Sequence, residues 1–179
     1  LTTVDKTRTS IELILKDVDA ELLPGSIDKS VIEKVLDAGR LMLAADTVGA
    51  AQVMLNKSVA YSLERKQFGR LIGSFQAVKH MCAEMAADLE PCHSMIWHAA
   101  HCLDNVPEES RLMACQTKAH ISEVGKQVSK TATEVHGGMG FTDELGLHYW
   151  FKRIGLNRQL LGSPELIREE AGKIQGFDQ

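Results

Sequence analysis

Residues 28–67 read DKSVIEKVLDAGRLMLAADTVGAAQVMLNKSVAYSLERKQ and contain no proline. Val31, Val35, Leu36, Leu41, Leu43, Val48, Val53, Leu55, Val59 and Leu63 recur through them at helical spacing. One long helix is predicted, beginning at Asp28. Its middle carries Gly39, Ala44, Ala45, Gly49, Ala50 and Ala51. Side chains this small let a neighbouring helix come close, although each glycine weakens an isolated helix by about 1 kcal/mol.

Downstream, the two glycines of RKQFGRLIG (65–73) break the helix, and Ser74 is placed to cap a second one running to about Leu103, with a kink expected at Pro91. A third helix fits Pro107 in its first turn, Glu108 and Glu109 at its positive end, and Gly137 and Gly138 past its C-terminus, Gly137 left-handed. Two shorter helices are predicted, over 144–161 and from Ser163 as N-cap with Pro164 at N1. Upstream of Pro24 and Gly25 the pattern differs. Ile11, Leu13 and Leu15 alternate with Glu12, Ile14 and Lys16, a period near two that suits a strand. The predicted fold class is all-α: an antiparallel helix bundle over 25–179 with a short β remnant in 1–24.

The chain has 179 residues, a net charge of −4, 44% hydrophobic and 25% charged residues. A chain of this size buries about 70% of its unfolded surface, enough for a core without disulfides or a structural metal. Lys and Arg are scattered, so neither nucleic acid nor an anionic membrane is an expected partner. The apolar runs fall short of the ~18 to 20 residues of a membrane span, so a soluble protein is expected. Cys82, Cys92, Cys102 and Cys115 show no CxxC spacing and suggest reduced thiols in a cytoplasmic setting. The first residues lack a start methionine and the features of a signal peptide, and read as cut from something longer.

Three segments carry candidate chemistry. Cys92, His93, His98, His101 and Cys102 include i, i+3 and i, i+4 pairs that can hold a metal. No carboxylate lies inside the cluster and nothing resembles a zinc finger, so core cysteines are the better reading and no metal is expected. The run His136, Gly137, Gly138, Met139, Gly140 reads either as a helix C-cap or as backbone open to a ligand. Without a GxSxG elbow or a preceding strand, neither a hydrolase triad nor a Rossmann turn can be built on it. Arg65, Lys66, Gln67, Phe68 and Gly69, followed by Phe75 and Gln76, read either as a solvated charge run or as a cradle for a pyrophosphate and an adenine.

Taken together, Tyr61-Ser-Leu-Glu-Arg-Lys-Gln-Phe-Gly69, Phe75-Gln76, His136-Gly-Gly-Met-Gly-Phe-Thr142 and Lys152-Arg153 resemble the C-terminal helical domain of the flavin-dependent acyl-CoA dehydrogenases. The resemblance covers about 31–174 and makes 1–24 the trailing strands of a truncated middle β domain. It implies an oxidoreductase that dehydrogenates acyl-CoA thioesters between the α and β carbons. The implied partners are FAD, an acyl-CoA substrate, an electron-transfer acceptor protein, and further subunits in a homo- or hetero-oligomer. Arg65, Gln67, Phe68 and Gly69, with Gly137 and Gly138, match residues that reach FAD held mainly by a neighbouring subunit. Glu134 stands where the family usually has glutamine, a carboxylate that would repel phosphate. Arg40 matches an arginine near the acyl-CoA channel.

The proton acceptor in this family is a glutamate, and both of its known placements align here with glycine, Gly162 and Gly39. Glycine cannot accept a proton. The stretch LLGSP (160–164), with FTDE (141–144) and His148-Tyr149, resembles a bacterial subset built as pairs of unlike subunits, several acting on steroid side chains, in which one member lacks the base. This chain reads as that member. Asp143 or Glu144 is the candidate for a relocated base, against first-turn charges beside a helix N-terminus. The alternatives are a flavin-dependent monooxygenase of the same fold and a non-catalytic helix-bundle interaction subunit.

Overall fold

In the computed structural model, which describes residues 3–26 and 28–177, Asp28 accepts a hydrogen bond from the Ser30 amide at 2.9 Å and so caps α1, Lys29–Glu64. Two two-residue strands follow, β1 (Lys66–Gln67) and β2 (Arg70–Leu71), then α2 (Gln76–Asn105), α3 (Pro107–His136), α4 (Leu147–Gln159) and α5 (Pro164–Ile174). Val106 alone joins α2 to α3, which makes them antiparallel neighbours. Pro107 at N1 and Glu108 and Glu109 in the first turn start α3 as the sequence predicts. Ser163 precedes Pro164 at the start of α5 in the same way.

The buried face of α1 runs through Leu41, Ala44, Val48, Ala51, Met54, Leu55, Ser58 and Ser62, a three-and-four repeat aimed at α2 and α3. It differs from the apolar repeat read in the sequence, since Val31, Val35, Val59 and Leu63 are exposed. Ser58 and Ser62 take the inward positions because their small hydroxyl side chains return to backbone carbonyls of Met54 and Val59 at 2.9 and 2.7 Å. Met54, Leu89, Ile121, Val128, Leu147 and Ile154 form the core between α1, α2, α3 and α4, each worth about 1.5–3 kcal/mol by burial. A second small core, Cys115, Ala119, Ile167 and Ala171, fastens α5 to α3. Among the described residues, no helix is long and apolar enough to cross a membrane.

Several local expectations change. Residues 11–16 form no strand: Ile11, Leu13 and Leu15 are about two-thirds or more exposed, and alternation makes a strand only where a neighbour supplies its ladder. Of the predicted β remnant over 1–24, residues 1 and 2 lie outside the described residues. The segment is anchored before it, where Arg8 reaches Asp46 at 2.7 Å and Asn157 at 2.6 Å. Arg153 holds the same Asp46 carboxylate from the other side with Nε and Nη2. Ser74 does not cap α2; it ends a 3₁₀ turn and donates to the Leu71 carbonyl, leaving Phe75 at the N-cap. Pro91 lies inside α2, whose span continues past it to Asn105 and so leaves the expected kink untouched. Helix α4 begins at Leu147, because Gly146 turns left-handed at φ 62° and stops it extending back to Glu144.

Candidate flavin cleft and the twin glycines

Arg65 ends α1 in extended backbone, and its carbonyl accepts from the Ile72 amide at 2.8 Å. Gln67 then pairs with Arg70 and Lys66 with Leu71, so the charge run is a minimal antiparallel hairpin. Phe68 and Gly69 form its two-residue tip, with φ of 54° and 77°. Two positive φ values in succession are what a tight hairpin turn of this hand requires. Glycine takes such a value freely, but an aromatic does so at a cost of about 1–2 kcal/mol. Phe68 is nonetheless 92% exposed and touches Phe75 edge-on, at 6.1 Å between ring centres. Arg70 lies over the Phe75 ring at 3.8 Å. A residue that is strained and unburied is poorly explained by the packing of this chain.

The hairpin faces the end of α3. Tyr61 stacks on His136 at 4.6 Å, tying the last turn of α1 to the last turn of α3. His136 is buried, with Nδ1 2.7 Å from the Ala132 carbonyl, which fixes the ring proton on Nδ1 because a carbonyl only accepts. Past it the chain turns at Gly137, at φ 59° and ψ −140°, rather than in the left-handed helical conformation expected. The three glycines of HGGMG divide by role. A side chain on Gly140 would strike the Thr133 carbonyl at 2.8 Å, so that glycine serves the fold. Side chains on Gly137 or Gly138 would meet nothing within 4 Å.

A cleft of about 380 Å³ opens here, lined by Tyr61, Arg65, Gln67, Glu134, Gly137 and Gly138 among others. It gathers four sequence-predicted cofactor residues and Glu134 from two distant parts of the chain. Phe68 and Gly69 stand at the adjoining hairpin tip rather than in its wall. Arg65 and Lys66 form no ion pair among the described residues, so the rim is cationic, with the Glu134 carboxylate opposing it. Tyr61 and His136 carry no role in the sequence reading; their stacking depends on how α1 and α3 cross, which no local pattern reveals.

Residues 29–174 match the family model of the acyl-CoA dehydrogenase C-terminal domain. The chain belongs to the acyl-CoA dehydrogenase family. It is 36% identical over 137 residues to the caffeyl-CoA reductase-Etf complex subunit CarC of Acetobacterium woodii, covering 74% of this chain and 36% of that one. It is 33% identical over 157 residues to acyl-CoA dehydrogenase IpdE2 of Mycolicibacterium smegmatis, covering 87% and 48%. Among solved structures, the Tcur3481-Tcur3483 steroid ACAD G363A variant superposes with a TM-score of 0.77 at 27% identity, over 83% of this chain and 41% of that one. The chain thus spans less than half the length of these relatives.

In this member of the family, the two glycines at the expected base positions lie around one leucine. A Cβ on Gly39 would stand 2.6 Å from Leu161 Cδ1, and one on Gly162 would stand 4.0 Å from Arg40 Nη2. Arg40 is buried and all three of its guanidinium nitrogens are engaged within the chain. It donates to the Leu161 carbonyl at 3.2 Å, to Glu170 at 2.8 Å, to Asp37 at 3.3 Å and to Cys115 Sγ at 3.2 Å. Arg111 also pairs with Glu170. Burial raises the Asp37 carboxyl above its ordinary range, and it pushes the Cys115 thiol up to about 11. The two cations hold Glu170 below its ordinary value against the opposing effect of burial. Asp143 and Glu144 lie in the turn before α4, not in its first turn as predicted; Asp143 is exposed and pairs with His148 Nε2 at 3.2 Å.

Proposed function

We propose that this chain is the C-terminal helical part of an FAD-dependent acyl-CoA dehydrogenase subunit, acting on acyl-CoA thioesters as the base-less member of an unlike-subunit pair. The carrying observation is the single cleft in which Arg65 and Gln67 meet Gly137 and Gly138. The fit to a dinucleotide rests on chemistry in that cleft. Among the described residues Arg65 forms no ion pair, which leaves its guanidinium suited to bidentate phosphate contact. Gly137 and Gly138 leave open the space that side chains would fill, so the backbone can approach a bulky anion. Phe68, displayed at the hairpin tip, is free to stack on an aromatic ring. When bound, FAD supplies the two-electron acceptor for a β-hydride.

Residues 3–24 belong, in this proposal, to the edge of a preceding β domain; their exposed Ile11, Leu13 and Leu15 are the side chains such a sheet would cover. Arg40 fixes the Leu161 corner and thereby the wall of the acyl channel. A second subunit provides the proton acceptor, and an electron-transfer protein takes the electrons onward, in a cytoplasmic setting. Support for assembly comes from the names of the relatives, one a subunit of an Etf complex and one a two-component steroid enzyme. The test is FAD retention by the full-length assembly. Arg65→Ala is expected to weaken it by about 1.5–3 kcal/mol, the range for a hydrogen bond to a charged group. Unchanged flavin content and thermal stability would remove the pyrophosphate role.

A further inference from the structure

We propose that His98, Cys102 and Glu109 form a zinc(II) site at the corner between α2 and α3. One candidate ligand atom from each residue lies within 4.8 Å of the other two. Cys102 Sγ and His98 Nε2 are 3.8 Å apart. Tetrahedral zinc, with bonds of about 2.3 Å to sulfur and about 2.0 Å to nitrogen, sets those two atoms ~3.6 Å apart. An ion therefore fits between them with a shift of a few tenths of an ångström. The carboxylate belongs to an exposed side chain in the first turn of α3 and closes onto the ion by rotation.

The backbone sets this arrangement. His98 and Cys102 are one turn apart on α2, and Val106 is the whole of the connection to α3. The Val106 amide donates to the Cys102 carbonyl at 2.9 Å and the Glu109 amide to the Val106 carbonyl at 3.0 Å, so the corner holds the three residues in register. The sequence reading discards a metal because the cysteine and histidine run holds no carboxylate; packing supplies one from the next helix. Two further members of that run have other partners. Cys92 belongs to the core and donates to the Asp88 carbonyl at 3.3 Å, and His101 contacts Asn105.

The donor set selects the ion. A thiolate and an imidazole with one carboxylate favour zinc over magnesium or calcium, which prefer all-oxygen shells. Thiolate and carboxylate together neutralise a divalent charge, so the ion adds no net charge to a partly buried place. Cys102 is 1% exposed and forms the floor, whereas His98 and Glu109 are exposed and form the mouth through which an ion enters. Three protein ligands leave the fourth position to water.

Cobalt(II) titration of the chelator-stripped, full-length protein tests the site. The wild type is expected to develop thiolate-to-cobalt charge-transfer absorption, which zinc(II) abolishes by displacement. Cys102→Ser removes that absorption, and Cys82→Ser leaves it intact. His98→Gln and Glu109→Gln each weaken binding by more than about tenfold, since even a residue outside the ligand shell is worth that much. Zinc raises the thermal midpoint of the wild type and not of His98→Gln. The site is refuted by a wild type with no thiolate band, by a band surviving Cys102→Ser, or by unchanged affinity in both His98→Gln and Glu109→Gln. Should Cys102→Ser fail to fold, His98→Gln decides the matter, because its side chain is exposed and not part of the core.

Discussion

Leu161 Cδ1 occupies the space in front of Gly39, 2.6 Å from where a Cβ would stand, and so fills one of the two places where the family resemblance calls for a carboxylate. The two glycines differ in what they require. At Gly39 the obstacle is the tip of a side chain that is 40% exposed and free to swing away. At Gly162 the backbone itself is at φ 109°, and a Cβ would also press on Ile167 Cγ1 at 3.0 Å. Gly162→Ala is therefore expected to destabilise by about 1–3 kcal/mol, the range for a side chain forced into sparsely populated backbone space. Gly39→Ala is expected to cost less than about 1 kcal/mol. Urea midpoints of the two variants decide it; equal losses would mean that Leu161 is not free to move.

Lys118 makes stability pH-dependent on the alkaline side. Its ammonium is buried on α3 and donates to the Asn157 carbonyl at 2.6 Å and to Ser122 Oγ at 3.1 Å. Burial pushes its pKa from 10.5 down to about 8. Between those values the unfolded chain holds a proton that the folded chain has released, so stability rises with pH from about 8 to 10.5 and is flat below. Lys118→Met removes this term. The difference in unfolding free energy between wild type and variant should grow above pH 8 by up to about 1.4 kcal/mol per pH unit. A difference constant from pH 7 to 10 would show that the carbonyl acceptors fully offset burial.

The starts of α1, α3 and α5 are legible in this sequence because they are written locally, by Asp28, by Pro107 with Glu108 and Glu109, and by Pro164 after Ser163, whereas those of α2 and α4 depend on the 3₁₀ turn at Ser74 and the left-handed Gly146. The inward face of α1 is not legible, because Ser58 and Ser62 satisfy their hydroxyls on the helix itself and so displace Val59 and Leu63 from the core. Residues 11–16 alternate like a strand, but alternation does not say whether a partner strand is at hand. The cleft is a harder case. Arg65 and Gly137 carry no mutual signal along the chain; only the resemblance joined them, and the Tyr61–His136 stack that seats one beside the other is tertiary. Glu109 was invisible to the metal question for the same reason.

The hairpin tip carries a stability–function conflict. Phe68 holds a positive φ and buries almost nothing, so Phe68→Gly should relieve about 1 kcal/mol of backbone strain while losing a ring contact worth about 0.5–1.5 kcal/mol. The expected net change in unfolding free energy is within about 0.5 kcal/mol of zero. FAD retention by the full-length assembly, in contrast, should fall. Urea unfolding and flavin release measured on the same variant separate the two effects. A large loss of stability with unchanged flavin would make Phe68 a structural residue.

If a partner subunit supplies the proton acceptor, the full-length homomer reduces a dye acceptor with acyl-CoA only at background, because general-base catalysis contributes about 10²- to 10⁴-fold. Adding the partner restores turnover, and removing the partner's carboxylate abolishes it again. The competing source in this chain is the turn before α4, where Asp143 is exposed and already paired to His148 and Glu144 is exposed. Should that turn be the base, the homomer is active alone and Asp143→Asn or Glu144→Gln cuts the rate by the same factor. Gly39→Glu provides the sharpest contrast: it puts a carboxylate beside Leu161, at a position without positive φ. Gain of turnover by Gly39→Glu in the homomer, with Asp143→Asn and Glu144→Gln silent, would place the missing base at the glycines; an active wild-type homomer that survives both carboxamide substitutions would refute the partner and the turn alike.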